Sequence, residues 1–342
     1  MKKHVIYFLY IFVLLSIFTS CGPPEATNAS AFYLGTPCSL TVYHNNAEAV
    51  IESVFARVEE IHNLMSRTIA TSDVSRINRA AGEEAVQVSP ETMEVISAAL
   101  RYGAVSQGAL DVSIGPLIEL WGIGTESARI PSDSEISQLL PLVDYENILI
   151  NEDENTVFLT QPDMIIDLGG IAKGFAADEA ADILRERDVQ SAIIDFGGNV
   201  YVVGTKPDGS QWRVGIQHPE TYRGSFMGIV QETNAAIVTS GPYERYFEAQ
   251  GEIYHHILDP ETGLPSRNGL LSVSIITGSS MDADALSTAA YVMGLENGME
   301  MIEELEGIDA IFIEEDKDVF ISSGLEGNFR IADSDYNLVQ QE

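Results

Sequence analysis

The sequence predicts an α+β fold of mixed and antiparallel sheets with packed helices. Three observations lead there. Strong helical periodicity is confined to a few stretches, above all Ala47 to Met65; short β-type segments crowd the chain from Ile148 onward; and the two types mix without the regular alternation of a doubly wound sheet. With 342 residues and 45% hydrophobic content, the chain can bury a sizeable core, as one large domain or as two fused lobes.

Residues 1–20 have the form of an export signal. Lys2, Lys3 and His4 precede the almost wholly apolar run Val5 to Phe18, and Thr19-Ser20-Cys21-Gly22 follows, the pattern of a bacterial lipoprotein signal with Cys21 as the acylated residue. Left uncleaved, the segment would be a short N-terminal membrane anchor. Residues 21–30 are expected to be a polar tether, 31–332 the domain, and 333–342 a C-terminal tail. A strand is expected over Leu34 to Tyr43, with Cys38 as a buried, inert thiol in it. Ala47 to Met65 repeats apolar residues at Val50, Ile51, Val54, Phe55, Val58, Ile61 and Leu64, which makes it a surface helix facing a core. Ser66 to Asn78 is polar and turn-like. Pro90 to Ser106 is a second helix, and Gly124 to Tyr145 is a surface insertion with a small helix starting near Ser132.

Beyond this point strands dominate. They are expected at Ile148 to Ile150, Val157 to Thr160, Met164 to Ile166, Ser191 to Ile194 and Val200 to Val203, then at Trp212 to Ile216, Phe226 to Gln231, Ala236 to Thr239, Tyr246 to Glu248, Tyr254 to Ile257 and Leu270 to Thr277. Phe175 to Arg187 is an amphipathic helix among them. A helix begins near Asp282, another covers Glu296 to Leu305, and strands at Ala310 to Ile313, Val319 to Ile321 and Phe329 to Ile331 finish the chain.

Two stretches carry chemistry. In the helix that begins near Asp282, Asp284 and Thr288 are one turn apart and share a face. A carboxylate and a hydroxyl so placed suit a hard cation such as Mg²⁺, which keeps waters and takes further ligands from a phosphate. The same residues also serve as an N-terminal cap and a threonine bonded to its own helix carbonyl, and spacing alone does not choose. The second stretch is Asp167-Leu-Gly-Gly-Ile-Ala-Lys-Gly174, a glycine turn between an apolar run and a helix. Such a turn presents backbone N–H groups and a positive dipole end to an anion, with Lys173 to neutralise it. It is not a Walker A loop, since the Lys-Ser/Thr ending is absent. A tight turn with no ligand would also want its glycines.

Charge excludes some partners. Loss of residues 1–20 would leave 16 of the 18 basic side chains against 52 acidic ones. Such a surface repels nucleic acid, and an acidic protein that handles a phosphate ester needs a cation to do so. With Cys21 acylated, Cys38 has no disulfide partner.

Six ordered motifs together resemble the ApbE family, the FAD:protein FMN transferases. They are Asp111 within Ala-Leu-Asp-Val-Ser, Gly115-Pro116-Leu117 with Trp121-Gly122, Asp167 to Gly174, Asp195-Phe-Gly-Gly-Asn199, His256-Ile-Leu-Asp-Pro-Glu-Thr-Gly263, and Asp284-Ala-Leu-Ser-Thr288. The resemblance covers roughly residues 31–332 and implies an ApbE-like, T-fold-like α+β domain of two lobes with one flavin site. It implies Mg²⁺-dependent cleavage of the FAD pyrophosphate, with FMN passed to a Thr or Ser hydroxyl of a partner flavoprotein and AMP released. The acceptors it suggests are membrane electron-transport subunits. An exported, lipid-anchored location also follows from it, on the periplasmic side of the inner membrane.

Carried over residue by residue, the implied metal ligands are Asp284, Thr288 and the backbone carbonyl of Gly170. Implied flavin or dinucleotide contacts are Leu34, Thr68, Ala109, Leu110, Asp111, Asp167, Lys173, Gly197, Gly198 and Ile257. His256 is the implied general base, with Asp282 its rival. One departure concerns the residues after Met65-Ser66, where many members of the family place an aromatic ring against the flavin. Here Arg67-Thr68-Ile69 follows, and a smaller Thr68 would weaken stacking and admit water. The balance between transfer to protein and hydrolysis to FMN and AMP is therefore open, and a non-enzymatic FAD-binding lipoprotein is the third reading.

Overall fold

The computed structural model describes residues 24–221 and 224–339, so the signal segment and Cys21 lie outside the described residues. The chain enters on a hairpin. β1 (Ala26–Tyr33) pairs antiparallel with β2 (Thr36–Tyr43), so the part of the expected tether from Ala26 to Ser30 is sheet instead. β1 is an edge strand whose inward side carries only Thr27, Ala29, Ala31 and Tyr33, too little apolar contrast to stand out in a sequence. Cys38 in β2 is fully buried, and burial pushes its thiol up to about 11, which fits an inert role.

α1 (Ala47–Met65) buries Val50, Ile51, Val54, Val58 and Ile61 as its periodicity predicts, each such side chain contributing roughly 1.5–3 kcal/mol. The polar stretch after it is not all turn. α2 (Asp73–Arg79) forms there because Ser72 caps it, accepting from the Ser75 N–H at 3.0 Å. β3 (Val86–Gln87) leads to α3 (Pro90–Val105), which opens with Ser89 as cap and Pro90 in the first turn. α4 (Gly115–Trp121) and α5 (Asp133–Leu139) enclose Trp121 with Ile136 and Leu258; α5 starts at Ser132 with a reciprocal Ser132–Glu135 cap. β4 (Ile148–Asn151) and β5 (Thr156–Leu159) join β3 in a small sheet ordered β3-β5-β4.

Met164 to Ile166, expected as a strand, makes only an isolated bridge between Ile165 and Ile114. The Asn78 side-chain amide takes the place of a neighbouring strand, donating to the Ile166 carbonyl at 3.0 Å and accepting from its N–H at 2.8 Å. α6 (Ala172–Glu186) then starts three residues earlier than expected, directly on the glycine turn. β6 (Ser191–Phe196), β7 (Asn199–Gly204), β8 (Trp212–Gln217), β9 (Phe226–Glu232) and β10 (Ala235–Ser240) follow as antiparallel strands.

A two-stranded arm comes next, β11 (Tyr246–Ala249) with β12 (Glu252–His255), so His256 and Ile257 lie just past the strand that was expected to contain them. The chain ends with β13 (Leu270–Thr277), α7 (Ser280–Glu303), β14 (Ile308–Glu314), β15 (Asp318–Ile321), β16 (Phe329–Ile331) and β17 (Asn337–Leu338). β17 pairs parallel to β15, so part of the expected tail is sheet. α7 spans both helices expected in this region. It kinks at Gly294, whose φ of 81° is open only to glycine.

The principal sheet has nine strands in the order β1-β2-β6-β7-β10-β13-β14-β15-β17. α1, α6 and α7 pack on one face around the largest core cluster. The sheet β16-β9-β8 covers the other face, setting Trp212, Met227, Val230 and Phe329 against Val202, Ile237, Ile311 and Ile313. The α+β class is therefore as expected. The helix starts of α6 and α7 lie on the same face of the sheet.

Candidate active site

α6 and α7 touch at Gly174. A Cβ there would collide with the Ser280 carbonyl and lie 2.6 Å from Met281 Cα, so only glycine permits the approach. The contact delivers the Gly174 N–H to Asp284 Oδ2 at 3.0 Å. Lys173 beside it reaches both oxygens of the same carboxylate, at 2.8 and 3.1 Å, and its third donor goes to the Gly169 carbonyl at 2.9 Å. Asp284 is 3% exposed. A carboxylate so far from water is tolerable only because these donors meet it.

Thr288, one turn on, lies 3.4 Å from the Asp284 carbonyl and 3.4 Å from the Ser240 hydroxyl of β10. Gly170 faces it: a Cβ there would stand 3.7 Å from Thr288 Oγ1 and 3.6 Å from Leu110 Cδ1. The structure thus brings Leu110, Gly170, Lys173, Asp284 and Thr288 together. Among the described residues there is no cluster of three or more His, Cys, Asp or Glu that would hold a metal. A cation at this point would have one carboxylate, one hydroxyl and backbone carbonyl oxygen, all hard donors, and would take its remaining ligands from water or from a substrate.

The start of α7 is held by two caps. Ser279 accepts from the Asp282 N–H, and Asp178 of α6 accepts from the Ser280 N–H at 2.7 Å, the Met281 N–H at 2.9 Å and the Ser279 hydroxyl at 3.1 Å. Burial pushes Asp178 up to about 6 against those hydrogen bonds, and Asp282 adds to the rise. Asp282 itself points elsewhere. Two residues from Asp284 on a helix, it faces α3, where its carboxylate is 3.7 Å from Arg101.

Asp167 orders the glycine turn. Its Oδ1 accepts from the Gly169 N–H at 2.7 Å and its Oδ2 pairs with Arg67 Nε at 2.7 Å, while Arg67 also reaches Glu119 at 3.1 Å. Thr68 is exposed and bonded only to Ser66 in its own loop. The buried Asp111 accepts from Ser113 N–H and hydroxyl and from the Tyr145 N–H at 2.9 Å, fastening the loop that carries Ala109 and Leu110. Burial raises its carboxyl above the ordinary range.

At the other end of the site, Gly197 and Gly198 form the two-residue β6–β7 turn at φ 65° and 99°. A Cβ on Gly197 would strike Thr36, so packing against the β1–β2 turn already requires this glycine. Leu34 lies in that turn at φ 52°, with its N–H directed to His62 Nδ1 at 3.3 Å. Arg245, leading into the β11–β12 arm, donates to the Gly35 carbonyl at 3.0 Å, and the Arg245 carbonyl is 3.2 Å from His256 Nδ1. That contact assigns the proton to Nδ1 and leaves Nε2 as the acceptor. Loss of surrounding water, then the Arg245 charge, His255 and Lys173, holds the His256 imidazole well below its ordinary value, hence neutral. Ile257 is buried in the main core.

Asp178, Arg67, Arg245 and Ser240 were not singled out from the sequence. Each acts on a partner 48 to 210 residues away, and no local pattern announces such a pairing.

An α+β protein whose glycine turn, lysine and buried carboxylate converge between two helix starts is built to take an anionic, phosphate-bearing ligand. Comparison with known proteins narrows the class. The ApbE family model matches residues 34–312, and the chain belongs to that family. A FAD:protein FMN transferase of Klebsiella pneumoniae is 36% identical over 310 residues, covering 91% of this chain and 96% of that protein. One from Treponema pallidum is 34% identical and covers 89% of each. Among solved structures, the ApbE protein of Thermotoga maritima superposes with a TM-score of 0.83 at 33% identity, over 90% of this chain and 100% of that one. The flavin transferase ApbE of Vibrio cholerae gives 0.80 at 30% identity, with the same coverage.

Proposed function

We propose that this chain is a Mg²⁺-dependent FAD:protein FMN transferase, cleaving the FAD pyrophosphate and attaching FMN by a phosphoester to a Thr or Ser of a partner flavoprotein. The observation that carries it is the buried Asp284 carboxylate facing the glycine turn, with the Thr288 hydroxyl one turn away. Mg²⁺ held by Asp284, Thr288 and the Gly170 carbonyl would neutralise charge on the pyrophosphate oxygens.

The chain's own groups supply the rest. The Asp167 turn and the start of α6 would present a positive helix end to the diphosphate, with Lys173 close by on Asp284. His256, neutral and with Nε2 free to accept, takes the proton of the acceptor hydroxyl as its oxygen attacks the FMN phosphorus. The bond from that phosphorus to the bridging oxygen breaks, and AMP departs with the electron pair.

The site also supports water as competing acceptor. Thr68 is exposed and carries no ring, so it would stack on a flavin less than an aromatic side chain at that position. A lipid on Cys21 would anchor the domain to a bacterial membrane, in reach of electron-transport subunits as acceptors. The test incubates the domain with FAD and Mg²⁺, with and without a flavoprotein carrying an acceptor Thr. Covalently yellow acceptor plus AMP supports transfer; AMP with no labelled acceptor replaces it with hydrolysis, and intact FAD removes the enzymatic reading.

A further inference from the structure

The Lys173–Asp284 pair is unusual in its completeness. All three donors of the ammonium are used, two on the carboxylate and one on the Gly169 carbonyl, and the carboxylate side chain is 4% exposed against 21% for the lysine. The adjoining residue, Gly170, faces Thr288. The ammonium therefore sits on the carboxylate that the proposed function assigns to a divalent cation. A second cation cannot join it at one buried carboxylate without strong like-charge repulsion, because the local dielectric screens poorly. Lysine is suited to leaving, as a compact charge on a flexible four-carbon stem.

We propose that Lys173 is an exchangeable internal cation: it neutralises Asp284 until a divalent metal arrives, then moves its charge to the diphosphate of the ligand. The inference rests on the metal-dependent reading above and deepens it. The consequence is coupling between two ligands. Metal binding has to dislodge Lys173, and the dislodged ammonium is stabilised only when an anionic diphosphate is present to receive it. Metal and dinucleotide therefore bind synergistically, each weak alone. The coupling is reciprocal by linkage.

The experiment measures Mn²⁺ affinity by electron paramagnetic resonance for the wild type, Lys173→Met and Asp284→Asn, with and without FAD, in the absence of acceptor protein and with FAD integrity checked by chromatography. In the wild type, FAD tightens Mn²⁺ binding by roughly tenfold or more, within the usual range of such couplings. Lys173→Met, which keeps the stem and removes the charge, binds Mn²⁺ roughly tenfold tighter than the wild type without FAD and loses most of the FAD effect. Equal or weaker Mn²⁺ binding by this variant without FAD overturns the exchange. Should Lys173→Met not fold, the wild-type measurement decides alone: Mn²⁺ affinity indifferent to FAD overturns it. The function reading fails separately, if Asp284→Asn binds Mn²⁺ with FAD as well as the wild type does.

Discussion

The two ends of the active site are built differently. At the α6–α7 end, Asp284, Lys173, Gly174 and Asp178 are interlocked by hydrogen bonds between helices that touch at a glycine. At the other end, His256 follows a two-stranded arm that leaves Tyr246 and Ile253 about half exposed, and its ring is fixed through the Arg245 carbonyl. The first end lies in the domain interior, and the second is carried by a two-stranded arm outside the principal sheet. The difference fits a reaction in which a phosphate-bearing ligand is held at the interior end while a protein acceptor approaches the other.

The largest effect should come from the interior end. Asp284→Ala removes the carboxylate, and transfer measured by covalent flavin on the acceptor should fall roughly 10³-fold or more. A variant that retains the native rate in chelator would remove the distinction between the two ends altogether. His256→Ala should cost roughly 10²–10⁴ in rate. FAD affinity, followed by fluorescence, should change far less than the rate, since the proposed role of His256 is on the acceptor hydroxyl.

Gly174→Ala tests the helix contact. The added methyl meets the Ser280 backbone, which has no flexible end to yield, so thermal unfolding should show a loss of about 1–3 kcal/mol. Arg245→Ala should be milder. It leaves the Gly35 carbonyl without this donor and frees the base of the arm, lowering the rate by about tenfold or less with little change in melting temperature.

The smallest effect is a pH dependence. The folded-state value of Asp178 lies above that of an unfolded aspartate, so its contribution to stability is complete below the unfolded value near 3.8 and is lost as pH rises through about 6. Wild type should lose stability relative to Asp178→Asn over that window, by on the order of 3 kcal/mol. A flat difference between pH 4 and 7 would show that the cap is not held against desolvation.

Much of this was legible in the sequence. The helix α1 announced itself by periodicity, and the Asp284–Thr288 spacing and the glycine turn before α6 named residues that the structure brings together. β1 was hidden because an edge strand of alanines, threonine and asparagine has little apolar contrast, and α2 because its start is written only in the Ser72 cap. Met164 to Ile166 looks like a strand in composition, yet a side-chain amide from Asn78 replaces the neighbour it would pair with. Within the site, Asp282 and Asp284 look equivalent until the helix turns them to different neighbours, and Lys173 and Asp284 meet across 111 residues.

The early start of the sheet sets a height. β1 begins at Ala26 and runs to the turn holding Leu34 and Gly35, beside which Arg245 and His256 lie. With a lipid on Cys21, an extended chain of 3.3–3.6 Å per residue puts that turn no further than about 45 Å from the bilayer surface. An acceptor embedded in the same membrane would then have to bring its hydroxyl within that distance of the bilayer.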